Sequence, residues 1–338
     1  MRWWPHRRSI SLSTSTDRET DTLDLLVIGD LNPDLIVAGE DLTPRFGQTE
    51  QLVSEASLVI GGSAAITAVG AARLGLRVGL CAVVGDDDFG RLMSQRLADE
   101  GVDCRWVRVV PARATGISVI LDQGRDRAIL TALGAIDALD PSDLKSLGDR
   151  PARHVHVASY FLLAGSVRQS LPQTFHRLRA AGVSTSVDTN WDPTQRWDVD
   201  GLLGSVDLVL PNQPELAALT GVDGLDEGLR VIADLGSSVA CKLGDRGASL
   251  LSSGRLLHVD AAPSEGYIDA IGAGDSFNAG FLCGTLSGLD VGDSLRLAVA
   301  TGSLSTRGRG GTATQPDLAT AQELAQRLTV TTSPEAPR

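Results

Sequence analysis

Short apolar runs recur along the chain at 23–29, 78–84, 154–158, 183–187, 206–210, 238–243 and 248–251. The first, Leu-Asp-Leu-Leu-Val-Ile-Gly, ends in a glycine, as expected of a buried parallel strand that feeds a turn. Stretches of helical periodicity at 64–74, 90–100, 167–181 and 213–220 fall between several of these runs. Such alternation predicts an α/β fold, a doubly wound, mostly parallel sheet flanked by helices.

Two regions break the rhythm. Residues 34–60 and 104–131 are β-rich, and in the second Trp106, Val107, Val109, Ile117, Val119 and Leu121 are punctuated by turns at Pro111 and Gln123-Gly124. Both are expected to form a small accessory sheet. Residues 1–22 start basic and continue as a Ser/Thr-rich stretch too polar for a signal peptide, so they read as a disordered tail; 328–338 reads as a flexible one. One large unit, 23–327, lies between.

Composition narrows the function. The formal charge is −12 and the basic residues are scattered, which argues against a nucleic-acid partner. No run approaches the ~18 apolar residues of a membrane span. The four cysteines, Cys81, Cys104, Cys241 and Cys283, form no CxxC pair, as expected of reduced thiols in a cytoplasm. Only two lysines occur, Lys145 and Lys242.

The most informative stretch is Asp269-Ala270-Ile271-Gly272-Ala273-Gly274-Asp275, directly ahead of a small-residue apolar run. Glycines there allow a tight turn with uncovered amides, and the N-terminus of a following helix adds unpaired N–H groups and a positive dipole end. Such a turn attracts anions. Asp275 would be repelled by a phosphate unless it had a task, and removing a proton from an attacking alcohol is such a task. A plain N-cap aspartate is the structural alternative. Neither a Gly-Lys-Ser/Thr loop nor a dinucleotide-binding glycine fingerprint is present, which speaks against a dehydrogenase.

Taken in order, Gly29-Asp30-Leu31-Asn32-Pro33-Asp34, Gly61-Gly62-Ser63-Ala64-Ala65, Gly85-Asp86-Asp87-Asp88-Phe89-Gly90, Asp188-Thr189-Asn190, Asn212-Gln213-Pro214-Glu215, Lys242-Leu243-Gly244-Asp245-Arg246-Gly247 and the stretch above carry a resemblance. The chain resembles the PfkB, or ribokinase-like, family of carbohydrate kinases from about residue 23 to 327. The resemblance implies a ribokinase-like α/β core with a β-sheet lid, ATP and Mg²⁺ as cofactors, and a small sugar or polyol as partner. It implies Asp275 as catalytic base, with the amides of Ala273, Gly274 and Asp275, in the turn opened by Gly272, at the transferring phosphoryl group. Asn212, Glu215, Lys242, Gly244 and Gly247 are then expected at the nucleotide, Glu215 and Asp188 at the metal through water, and Asn32, Asp34, Gly62, Ser63 and Arg127 at the sugar. Segment 306–312 is expected near adenine, and the lid as a homodimer contact.

Bland readings accompany these. Asn212 and Glu215 have capping-box spacing, Lys242 could be a solvated strand-end lysine, and Arg127 could decorate an edge strand. His154 and His156 read as strand residues rather than metal ligands, and Asp86–Asp88 as a turn. Departures from the family pattern are Ile66, where an asparagine is usual, and Ser63, where ribokinases have a lysine; Asp269-Ala270-Ile271 leaves monovalent-cation activation open. A nucleoside kinase, with Phe46 or Trp106 stacking on a base, and a non-catalytic sugar sensor are the alternatives.

Overall fold

The computed structural model describes residues 22–334 apart from 124–126, 200 and 264, and the side chains of 333 and 334. Nearly all of the tail expected over 1–22, and the last four residues of the chain, lie outside the described residues.

Strand β1 (Leu23–Ile28) leads into β2 (Asn32–Ala38) and β3 (Glu55–Gly61). Helix α1 (Ser63–Arg73), β4 (Val78–Gly85), α2 (Asp88–Asp99) and β5 (Asp103–Val110) follow, then β6 (Ile117–Asp122) and β7 (Arg127–Ala132). Next come α3 (Pro141–Ser146), β8 (Ala152–Val157), α4 (Gly165–Ala180), β9 (Ser184–Val187), β10 (Leu208–Val209), α5 (Gln213–Thr220) and α6 (Leu225–Asp234). The chain continues through β11 (Ser238–Lys242), β12 (Ala248–Ser252), β13 (Arg255–Val259), α7 (Ala273–Leu286), α8 (Val291–Ser305), α9 (Leu318–Ala325) and β14 (Val330–Pro334).

The large sheet runs β14-β13-β12-β11-β10-β9-β8-β1-β4-β5. Its strands from β5 to β11 are mutually parallel, and β12, β13 and β14 add an antiparallel edge. Alternation along β1 shows why both faces need helices. Leu25 and Val27 pack with residues of α1, α7 and α8, while Leu26 and Ile28 pack with Leu171 and Phe175 of α4. The small sheet, β3-β2-β6-β7, is the lid.

Two boundaries differ from the sequence reading. Residues 104–110 were expected in the lid, but β5 pairs in parallel with β4 as an edge of the large sheet, so Trp106 is a core-sheet residue. The second lid segment begins at Ile117. The flexible tail expected over 328–338 also needs correction, because Val330–Pro334 pairs antiparallel with β13. Leucine 328 is itself buried against the core.

Helix α7 is buried on nearly every side, so small residues are required where α8 crosses it. A Cβ on Gly280 would stand 2.7 Å from Thr301 Oγ1 and 2.9 Å from both Ala298 Cα and Leu297 O. That contact fixes α7, and with it the turn at its N-terminus. Gly280→Val is expected to destabilise the protein by ~1–3 kcal/mol through overpacking. A denaturant midpoint equal to that of the parent would show that the two helices separate at no cost.

Candidate active site

Ligands of open α/β sheets bind beyond the carboxyl ends of the parallel strands, where each strand hands over to its helix. Here those ends deliver Asp30 after β1, Asp188 after β9, Asn212 after β10 and Lys242 at the end of β11. Helix α7 brings its N-terminus, Gly272 to Asp275, to the same place.

Gly272 has φ +69°, and a Cβ there would lie 2.6 Å from Gly311 Cα and 3.0 Å from Ile66 Cγ2, so the turn requires glycine. Ile66 thus packs beneath the turn instead of offering a polar contact. A Cβ built on Gly274 would be 3.6 Å from Lys242 Nζ, which puts the lysine head against the first turn of α7. Lys242 is not a solvated strand-end residue. Its ammonium donates to Asp188 Oδ2 at 2.5 Å and to Asn278 Oδ1 at 3.4 Å, and the Asn278 amide donates to the same Asp188 oxygen at 2.6 Å. Burial opposes the charge on Lys242, but Asp188, Glu215 and Asp275 outweigh it and raise its pKa.

The other Asp188 oxygen accepts from the Asn190 amide N–H at 3.0 Å. Both oxygens of Asp188 are engaged, and it is the charge partner of Lys242. Asn212 and Glu215 form a complete capping box at the start of α5: Asn212 N–H donates to Glu215 Oε2 at 2.8 Å, and Glu215 N–H to Asn212 Oδ1 at 2.9 Å. Burial, then the negative charge of Asp188, pushes the Glu215 carboxyl up to about 7. Among the described residues no three His, Cys, Asp or Glu side chains converge as a metal-ligand set.

Asp275 lies in the first turn of α7, 7% exposed. Burial raises its carboxyl to about 8, reinforced by Asp188 and Asp30, while Lys242 and a hydrogen bond from Ser63 act the other way. The Ser63 hydroxyl also accepts from Asn190 Nδ2 at 3.0 Å, and Asn190 Oδ1 accepts from Ser159 N–H at 2.7 Å. Ser63 therefore links α1, the loop after β9 and the acid.

Across from this acid stands the root of the lid. Asn32 Nδ2 donates to Asp34 Oδ1 at 3.0 Å and to Ser118 Oγ at 3.4 Å, and Ser118 shares a 3.0 Å hydrogen bond with Thr131. Burial, then Asp30, pushes Asp34 up to about 7. Asp30 itself accepts from Ala64 N–H at 3.0 Å. Gly62, at φ +90°, brings its backbone within 3.0 Å of Asn32 Oδ1, measured from where a Cβ would stand.

Some expected site residues are not gathered here. Arg127 is exposed at the start of β7, in register with Asp122, whereas Thr131 is in register with Ser118; four residues along a strand is ~13 Å. Gly247, at φ +84°, is required by its own hairpin, since a Cβ would lie 2.0 Å from Val259 O. Gly244 shares that turn. In segment 306–312, Gly311 touches the anion turn while Arg309 bonds to Glu55 and pairs with Asp122 of the lid. His154 and His156 are buried strand residues bonded to Ser184 and Ser186, and Asp87 caps α2 and binds Thr115.

The profile of the pfkB family carbohydrate kinases matches residues 22–318. The chain belongs to that family. This pfkB protein is 33% identical over 291 residues to the ATP-dependent ribose-1-phosphate kinase of Halopiger xanaduensis, covering 82% of this chain and 91% of that one. It is 32% identical over 278 residues to the fructokinase of Klebsiella pneumoniae, covering 76% and 88%. Its fold matches Arabidopsis thaliana ribokinase complexed with ribose and ATP, with a TM-score of 0.76 at 27% identity, over 90% and 99% of the two chains. The ribokinase-like α/β fold with its separate lid sheet is thereby established.

Asp30, Ser118, Thr131, Asn190 and Asn278 are the site residues that sequence reasoning passed over. Asn278 had a signal, because it stands three residues after Asp275 and so shares a helix face with it. Ser118 and Thr131 had none, since short polar residues on half-exposed strands are ordinary.

A base acts only when ionised, so kcat/KM for the acceptor should rise with pH along an acid limb well above the ordinary carboxylate range. Lys242 favours the ionised form of Asp275, so Lys242→Met should move that limb to higher pH. A pH profile identical to the parent's would take Lys242 out of the electrostatics of the site.

Proposed function

We propose that this chain transfers the γ-phosphoryl group of ATP to a hydroxyl of a small carbohydrate, with Asp275 as general base. The observation that carries the reading is the position of that buried acid. It sits at the head of α7 with Lys242 beside it, and it is bonded to Ser63, whose neighbour Gly62 lies against Asn32 of the Asn32–Asp34 cluster.

The residues present suit a nucleotide. Glycine-opened amides at the start of α7 and the adjacent Lys242 ammonium form a cradle for phosphate oxygens. Glu215, in the first turn of α5 and next to the Lys242–Asp188 pair, would hold magnesium through water, a mode in keeping with an ion that retains several waters. Magnesium bound with the nucleotide would neutralise phosphate charge. Asn212 holds Glu215 in its rotamer, and Gly244 and Gly247 shape the turn that would border the nucleotide.

Asp275 takes the hydroxyl proton as the acceptor oxygen forms its bond to phosphorus and the bond to the ADP oxygen breaks. Lys242 and the amides of Ala273, Gly274 and Asp275 stabilise the negative charge on the transferring group. Asp188 keeps Lys242 aimed. Asn32, Asp34, Ser63 and the Gly62 backbone hold the acceptor, and the lid over it excludes water that would otherwise compete.

The lid supports a homodimer contact as well. Its edge strand β7 is exposed along its length, with Ile129 55% and Leu130 60% accessible. Four unpaired cysteines fit a reducing cytoplasm, and among the described residues no helix is long and apolar enough to cross a membrane. The nucleoside-kinase reading loses Trp106, which belongs to the core sheet, and keeps only the exposed Phe46.

Asp275→Asn is expected to retain nucleotide binding and lower turnover by at least ~10²-fold, measured as ADP release with Mg-ATP and a sugar panel. Turnover close to the parent's would sink the mechanism. Glu215→Gln should raise the magnesium concentration needed for half-maximal rate, and an unchanged requirement would remove Glu215 from the metal environment.

A further inference from the structure

The acceptor half of the cleft has an unusual balance of hydrogen-bonding groups. The amide of Asn32 is already committed to Asp34 Oδ1, Pro33 O and Ser118 Oγ, at 3.0, 3.1 and 3.4 Å. The amide of Asn190 is committed to Ser63 Oγ. What remains to a ligand is mostly acceptor capacity: the second oxygen of Asp34, the carbonyl of Asn32 and the hydroxyls of Ser63, Ser118 and Thr131. A ligand must bring donors, and alcohol hydroxyls are such donors.

Charge points the same way. Asp30 and Asp34 are both buried at the root of the lid, and Asp192 is buried in the loop that follows Asn190. The basic groups around the cleft are turned elsewhere. Arg309 is paired with Glu55 and Asp122, Arg96 donates to Leu58 O at 2.7 Å, and Arg113 is paired with Asp137. Arg127 stands four residues along the lid from the cluster, and Lys242 belongs to the phosphoryl side. Arg309, Arg96, Arg113 and Lys242 are thus each engaged by another group.

We infer that the acceptor is an uncharged polyhydroxy sugar, and that the site discriminates against sugar phosphates and sugar acids. A phosphate or carboxylate on the acceptor would bring oxygens without donors into a buried cluster whose own side-chain amides are already committed. This deepens the proposed function and rests on it for the identity of the site. It also sets the chain apart from its ribose-1-phosphate kinase and 2-dehydro-3-deoxygluconokinase relatives, whose named acceptors carry negative charge.

The test uses the full-length protein with matched pairs: ribose against ribose 1-phosphate, fructose against fructose 1-phosphate, and glucose against gluconate. ADP release and the ligand-induced rise in melting temperature are both recorded. The expected result is kcat/KM at least about 100-fold higher for the neutral member of the accepted pair, about 2.8 kcal/mol at about 1.4 kcal/mol per tenfold. Only the neutral member should raise the melting temperature. Asp34→Asn should weaken the neutral sugar and narrow the ratio. A charged member that equals or outperforms its neutral partner in both assays overturns the inference and leaves the kinase reading intact. A neutral sugar that raises the melting temperature without ADP release supports the inference and overturns the kinase reading.

Discussion

Everything at the centre of this molecule is organised around one buried cation. Lys242 faces Asp188, Glu215 and Asp275 in a region shielded from water, so a single ammonium balances more negative charge than its own. Isolated buried carboxylates are costly, and a pair survives burial only with good geometry and further hydrogen bonds. Asn278 and the amide of Asn190 supply those bonds to Asp188. Burial and the surplus of negative charge push the Glu215 and Asp275 carboxyls above the ordinary carboxylate range.

Topology makes that concentration of charge attainable. Parallel strands end at one edge, so residues far apart in sequence arrive together without any long excursion of the chain. The helix N-terminus on the same edge contributes donors that no side chain need provide. The lid is a separate sheet, yet β2 leaves the core directly after β1 and carries Asn32 and Asp34 at its base. Asn32 and Asp34 are thus anchored in the core even though the sheet they begin is not.

Much of this was legible in the sequence, and the limits have physical causes. The alternation of apolar runs gave the parallel sheet because strands buried on both faces leave continuous hydrophobic stretches. The same rule misplaced 104–110, since an edge strand has one half-exposed face and looks like a lid strand. Strand β14 escaped notice because Thr-rich segments read as loops until a partner strand is known. At the site, the glycine turn and Asp275 announced themselves through an unusual juxtaposition. Asp188 was noticed, but its pairing with Lys242 was not, because a carboxylate in a motif does not reveal that a lysine on another strand lies against it. The lid hydroxyls carry no local signature at all.

The closeness of Asp34 to the backbone has a bearing on how such a protein can change over generations. A Cβ at Gly61 would fall 2.0 Å from Asp34 Oδ1, so the carboxylate occupies the volume that any side chain at position 61 would need. The two positions are therefore not free to drift singly. A lineage that abandons the acid opens room at the glycine, whereas one that fills the glycine first must lose the acid's placement. Divergence toward a different acceptor has a preferred order of steps, set by a steric overlap between adjacent strands rather than by selection on the sugar alone.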